Sequence, residues 1–158
     1  MSEATPASGA GRGTILVLNG PNLNLLGTRE PEKYGTATLA DVEQLAKDTA
    51  AAHGLDVECF QSNHEGALVD FLHRYIDEAQ GALVNPAGLT QHGVPLHDAI
   101  KAMPFPVIEV HMSNIAARET WRAHSIISPA VKGTIQGLGP HSYLLGLRAL
   151  AMLAQQTQ

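Results

Sequence analysis

TILVLNGPNLNLLGTREPEKYG, Thr14 to Gly35, joins two unlike pieces of chain. Thr14 to Leu18 is an unbroken, largely apolar run rich in β-branched residues, the pattern of a strand covered on both faces. Asn19 to Gly35 is a tract of Asn, Gly, Pro, Arg, Glu and Tyr, far longer than the roughly four to six residues that usually connect elements. A strand covered on both sides calls for parallel neighbours with helices above and below. A loop that long at its carboxyl end is expected to carry function.

The same alternation runs outward along the chain. Thr38 and Asp41 stand at capping-box spacing before an Ala-rich helix ending near Gly54. LDVECF is a second strand, after which Ser62 is expected to cap a helix with Glu65 three residues on and Leu68, Phe71, Leu72 and Ile76 at helical spacing. ALVN is a third strand, and NPAGLTQHG leads to a short helix around Pro95 to Met103. PVIEVH is the fourth strand, the polar stretch IAARETWRAHS is read as helical, VKGTIQGLG is the fifth strand, and SYLLGLRALAMLA closes the chain as a helix. The pair Gly137 and Gly139 lacks the third glycine of a dinucleotide fingerprint and is read as a strand-to-helix turn.

Five strands alternating with helices predict an α/β protein with a five-stranded parallel sheet in a flavodoxin-like three-layer sandwich. In such sheets ligands sit beyond the carboxyl ends of the strands, where strand order reverses. The segments Asn19 to Gly35, Asn85 to His92 and Glu109 to Asn114 are therefore expected to converge.

Composition narrows the function. With 158 residues the chain is long enough for one domain with its own core, here 14–158, after an Ala/Ser/Gly-rich tail, 1–13, read as flexible and without the apolar segment of a signal peptide. The net charge of −5 has no basic run, which argues against a nucleic-acid partner and favours a small polar one. The single cysteine, Cys59, makes no intramolecular disulfide and is read as a core residue. No run approaches the roughly 18 apolar residues of a membrane span. The expectation is a soluble, cytoplasmic protein.

Glu109 and His111 are two apart on a strand and share a face, and a carboxylate beside an imidazole can orient it as a proton donor. A strand-end histidine bonded to whatever lies nearby fits the same spacing. Tyr34 closes the long loop with Arg29 five residues earlier. A free tyrosine is about 0.1% ionised at pH 7, and about 4 kcal/mol of differential stabilisation would bring it to half. A guanidinium on a lid that excludes water could supply much of this; the alternative is an exposed loop aromatic. Arg118 and Arg122, four apart, would share a helix face, either to bind an anionic or hydroxyl-rich substrate or to decorate a solvated surface with Glu119. His53, His64 and His73 read as surface positions.

Taken together, LNGPNLNLLGTREPEKYG, NPAGLT, IEVHMSN, ARETWRAHS and GLGPHSYLLGLRAL resemble the type II 3-dehydroquinate dehydratases, from Ile15 to about Leu153. The resemblance implies a trans-elimination of water from 3-dehydroquinate to 3-dehydroshikimate, with no metal, Schiff base or organic cofactor. It assigns Tyr34, supported by Arg29, as base; Asn22, through a water, as enolate stabiliser; and His111, oriented by Glu109, as acid. Asn85 would hold substrate hydroxyls, Met112 and Ser113 the substrate carboxylate, Arg122 a hydroxyl, and Arg118 the base's side of the site. Asp98 matches a residue presented across a subunit boundary, implying a homo-oligomer built from trimers, usually a dodecamer.

One position departs from the family pattern. Members commonly read Thr-His-Thr after the NPAG turn, and this chain reads Thr90-Gln91-His92. Gln91 stands where a substrate-binding histidine is expected, either as its direct replacement or because the loop has shifted and His92 turns inward. Two rival functions remain in view: a metal-dependent hydrolase using Glu109, His111 and His92, and a non-catalytic binding module. A phospho-receiver would need an acidic cluster after the first strand, and a flavodoxin a hydroxyl-rich loop there.

Overall fold

The computed structural model describes residues 12–156, with the backbone alone described at Lys33 and Tyr34. Five strands, β1 (Thr14–Asn19), β2 (Asp56–Gln61), β3 (Ala79–Asn85), β4 (Val107–His111) and β5 (Gly133–Gln136), form one parallel sheet in the order β2-β1-β3-β4-β5. Between them lie the single turn α1 (Pro31–Tyr34) and the helices α2 (Leu39–Ala52), α3 (Glu65–Arg74) and α4 (Val94–Lys101), and α5 (His141–Gln156) follows the last strand. This is the expected α/β sandwich.

The period-two geometry of the strands divides the core into two layers. Ile15, Val17, Leu83, Ile108 and Val110 face α2 and α5, where Val42, Ala46, Leu147 and Leu150 meet them. Leu16, Leu18, Ala82, Val84 and Val107 face α3 and α4, against Leu68, Phe71, Leu72, Leu96 and Ile100. Burial on both faces is why these strands read as continuous apolar runs. Cys59 packs half-buried against the first layer, and burial pushes its thiol up to about 12, consistent with a core role.

Strand order reverses between β1 and β3, and the register there positions the site. Asn19 pairs with Asn85, so the two loops that follow leave the sheet side by side. Gly20 donates its N–H to the Asn85 carbonyl at 2.9 Å, and a Cβ on it would lie 2.5 Å from the Pro86 carbonyl oxygen. Only glycine permits that approach.

Thr38 and Asp41 form the expected capping box, and Gly137 and Gly139 adopt positive φ in the β5–α5 turn. Ser62, however, does not cap α3: its hydroxyl accepts the His64 N–H at 3.0 Å, and Glu65 reaches across to accept the Leu96 N–H at 3.2 Å, satisfying an orphan donor of α4 instead. The stretch after β4 is not an α-helix. It forms two 3₁₀ turns, Ile115–Ala117 and Thr120–Arg122, with Arg118 extended between them. Neither turn buries a residue, so no apolar stripe would stabilise a longer helix. The predicted tail lies outside the described residues except for Arg12, which pairs with Asp56 at 3.3 Å, and Gly13.

Candidate active site

The loops after β1, β3 and β4 converge on an open cleft of about 850 Å³, counted to its mouth, a size suited to a small molecule. Asn22, Arg29, Asn85, Gln91, His111, Met112, Ser113, Arg118 and Arg122 all line it. The last two reach it from the extended link between the two 3₁₀ turns and from the second turn, and not from one helix face. Glu109 stands behind His111, fully buried. Asp98 lies outside the lining, exposed on α4 beside His97, whose Nδ1 is 2.9 Å from its carboxylate. The backbone of Tyr34 ends α1, but its side chain lies outside the described residues, as does any contact it makes with Arg29.

The long loop is shaped by local bonds. Asn22 adopts the left-handed conformation, which asparagine tolerates, and donates its N–H to Asn63 Oδ1 at 2.9 Å. Leu23 and Leu26 bury themselves in the first core layer and tie the loop's first half to the sheet.

Glu109 and His111 form a buried pair, with His111 Nε2 on Glu109 Oε2. This leaves Nδ1 as the ring nitrogen available to the cleft. Ser125 Oγ lies 3.1 and 2.9 Å from Oε1 and Oε2 of the same carboxylate, and Ser128 Oγ donates to Oε1 at 2.7 Å. Burial pushes the Glu109 carboxyl up, but the bond and charge of His111 and the hydroxyls of Ser128 and Ser125 outweigh it and hold the carboxyl below its ordinary range. A buried anion beside an imidazole at the wall of a cleft is an arrangement suited to proton transfer.

Asn85 is oriented from behind. Its Nδ2 donates to Tyr143 Oη at 2.8 Å and its Oδ1 accepts the Ala87 N–H at 3.1 Å, while Tyr143 donates onward to Asn19 Oδ1 at 2.6 Å. A carboxamide has two N–H donors and two carbonyl lone pairs, so one of each remains for a ligand.

Gln91 lines the cleft and donates its Nε2 to the Arg122 carbonyl at 3.0 Å, whereas His92 is exposed and outside the lining. In this placement it is Gln91, and not His92, that lines the cleft. The placement also removes one leg of the metal-hydrolase alternative, and among the described residues no group of three or more His, Cys, Asp or Glu side chains converges. Arg122 is braced by Glu119 at 2.6 Å and stacks on Trp121, its guanidinium carbon 4.1 Å from the ring centroid. Arg122 thus both lines the cleft and pairs with Glu119.

Sequence reasoning missed Ser125, Ser128 and Tyr143, and named Asn19 only as the start of a converging segment. The run HSIISP carried a hint in its two hydroxyls three residues apart, but nothing in the periodicity aimed them at Glu109.

The sequence matches the profile of Dehydroquinase class II over residues 13–151. It is 55% identical over 141 residues to the 3-dehydroquinate dehydratase of Variovorax paradoxus, covering 86% of this chain and 97% of that protein. Against the 3-dehydroquinate dehydratase of Rhizobium meliloti it is 52% identical over 145 residues, covering 92% and 98%. Its fold is similar to the solved structure of a type II dehydroquinase from Propionibacterium acnes, with a TM-score of 0.85 and 44% identity over 88% of this chain and 96% of that one.

Proposed function

The chain belongs to the class II dehydroquinases, and we propose that its cleft dehydrates 3-dehydroquinate to 3-dehydroshikimate by trans-elimination through an enolate, with Tyr34 as base and His111 as acid. The C2 proton is acidified by the neighbouring ketone, so a moderately strong base removes it once charge on the ketone oxygen is stabilised. Tyr34, as tyrosinate, takes that proton. Arg29, on the same loop and in the cleft wall, supports the ionised phenol, and Arg118 adds positive charge on that side.

The electron pair released from C2 passes to the ketone oxygen, where Asn22 stabilises it through a water. Collapse of the enolate forms the C1–C2 double bond and expels the C1 hydroxyl, which leaves as water with a proton from His111 Nδ1. Tyr34 and His111 then exchange the proton with solvent and are reset. Met112 N–H and the Ser113 hydroxyl hold the substrate carboxylate, while Asn85, Gln91 and Arg122 hold its hydroxyls. The reading requires no metal or organic cofactor.

Asp98 points to assembly. It is exposed and away from its own cleft, which fits a residue offered to a neighbouring subunit in a trimer-based oligomer, such as a dodecamer. The same elimination serves shikimate biosynthesis and quinate catabolism alike.

The observation that carries this reading is the buried Glu109–His111 pair opening onto a cleft lined by Arg29, Arg118, Arg122, Asn22 and Asn85. Adding 3-dehydroquinate to purified protein in excess chelator tests it. An ultraviolet rise from the conjugated product is expected; product formed only after a divalent metal is added, or none at all, would refute it.

A further inference from the structure

Glu109 carries more hydrogen bonds than the one that orients His111. Ser125 Oγ accepts the backbone N–H groups of Ile127 and Ser128, both at 3.1 Å. A hydroxyl has two lone pairs and one proton, so with both acceptor positions filled it can only donate. What it faces is Glu109, at 2.9 and 3.1 Å. The same turn delivers the Ser128 hydroxyl to Oε1 at 2.7 Å. Glu109 therefore accepts from Ser125, Ser128 and His111 with no exposure to solvent.

A Glu–His pair poised for acid catalysis holds one mobile proton, which sits either on the imidazole, giving an ion pair, or on the carboxyl, giving a neutral pair. Glu109 is 0% and His111 6% exposed, and so dry a setting favours the neutral arrangement. The other charged side chains lining the cleft, Arg29, Arg118 and Arg122, are all cationic, with Glu119 offsetting part of that charge at Arg122, so the lining adds no anion to hold a positive imidazole. Two hydroxyl donors aimed at the carboxylate act the other way, because they bond the ionised form better than the protonated one.

We propose that Ser125 and Ser128 are positioning residues for the dehydration: their hydroxyls clamp Glu109 so that the mobile proton stays on His111, which then meets the departing hydroxyl as an imidazolium. The proposal rests on the reading of His111 as the acid. Without the clamp the proton moves to Glu109, and His111 becomes a neutral imidazole, a far weaker donor.

Ser128→Ala is the cleaner test, since it deletes one clamp hydroxyl and leaves the Ser128 N–H on Ser125. In protein carrying nitrogen-15 histidine, the parent's His111 ring is expected to resonate as imidazolium at neutral pH, and Ser128→Ala to move it toward neutral imidazole. A protonated-carboxyl band should appear in the infrared spectrum of the variant and vanish when Glu109→Gln is added. Turnover should fall by roughly tenfold or more with KM changed by less than about twofold, and Ser128→Thr should restore both spectrum and rate. Ser128→Ala with the parent's spectrum would overturn the proposal, whether its rate is kept or lost to a merely structural effect. So would a parent whose His111 is already neutral with Glu109 protonated. The spectra locate the proton without turnover, so they decide the clamp separately from the acid's identity, which an active His111→Asn variant would refute.

Discussion

Replacing Tyr143 with Phe removes one oxygen from the middle of the fold and keeps the ring. That oxygen donates to Asn19 at 2.6 Å and accepts from Asn85 at 2.8 Å, and burial pushes its phenol up so that it stays a hydroxyl throughout the working range. All three side chains are buried. The variant leaves a carbonyl oxygen on Asn19 and an N–H on Asn85 without that partner, at about 1–3 kcal/mol each. Asn19 Nδ2 already lacks a partner among the described residues, so its carboxamide gains nothing by turning over. Allowing for partial relaxation, the expected loss is about 2–4 kcal/mol, or roughly 5–15 °C in Tm for a chain of this size. The same change frees Asn85 to rotate. Weakening one neutral bond to a substrate hydroxyl by about 0.5–1.5 kcal/mol raises KM about 2- to 12-fold with kcat little altered. Thermal unfolding at fixed protein concentration, paired with steady-state kinetics, reads both. A loss below about 0.5 kcal/mol with KM unchanged would show that the Asn19–Tyr143–Asn85 chain neither stabilises the fold nor sets Asn85.

Gln91→Ala should raise KM about two- to tenfold by deleting a ligand contact and the tie to the Arg122 carbonyl, while His92→Ala is nearly silent; the reverse pattern would show that the loop works in a shifted register. Acid stability should depend on Glu109. Its folded pKa is depressed, so its ionisation contributes stability present above its unfolded value of about 4.3 and lost as pH falls through the lower folded value. Glu109→Gln should therefore destabilise the protein near pH 7 and flatten its loss of stability between about pH 5 and pH 2. Urea midpoints across that range that run parallel to the parent's would contradict the linkage.

What was legible in the sequence was what has a period or a local signature. Continuous β-branched runs exposed the doubly covered strands, Thr38 and Asp41 their capping box, and the order of elements the sheet in which Asn19 and Asn85 lie side by side. Topology and motif together pointed to the residues of the three converging loops that line the cleft. The bracing behind them did not, because Tyr143 lies 58 residues from Asn85 and 124 from Asn19, and no spacing rule spans such distances. Ser125 and Ser128 are 16 and 19 residues from Glu109 across an irregular turn, where side-chain direction is set by backbone bonds that composition does not encode. The helix expected through Arg118 and Arg122 failed for a related reason. Its charges sit at helical spacing, but no apolar face accompanies them, and Asn114 takes the Ala116 N–H at 3.2 Å to start a tighter turn.

The division of labour between base and acid is the centre of this account, and exchange of the substrate's C2 proton in deuterium oxide tests it most directly. Followed by proton NMR, His111→Asn should still introduce deuterium at C2 while forming product about 10²- to 10⁴-fold more slowly, since Tyr34 still opens the enolate but nothing protonates the departing hydroxyl. Tyr34→Phe should lose both exchange and product. Rapid exchange by Tyr34→Phe, or turnover by His111→Asn within tenfold of the parent, would contradict the assignment.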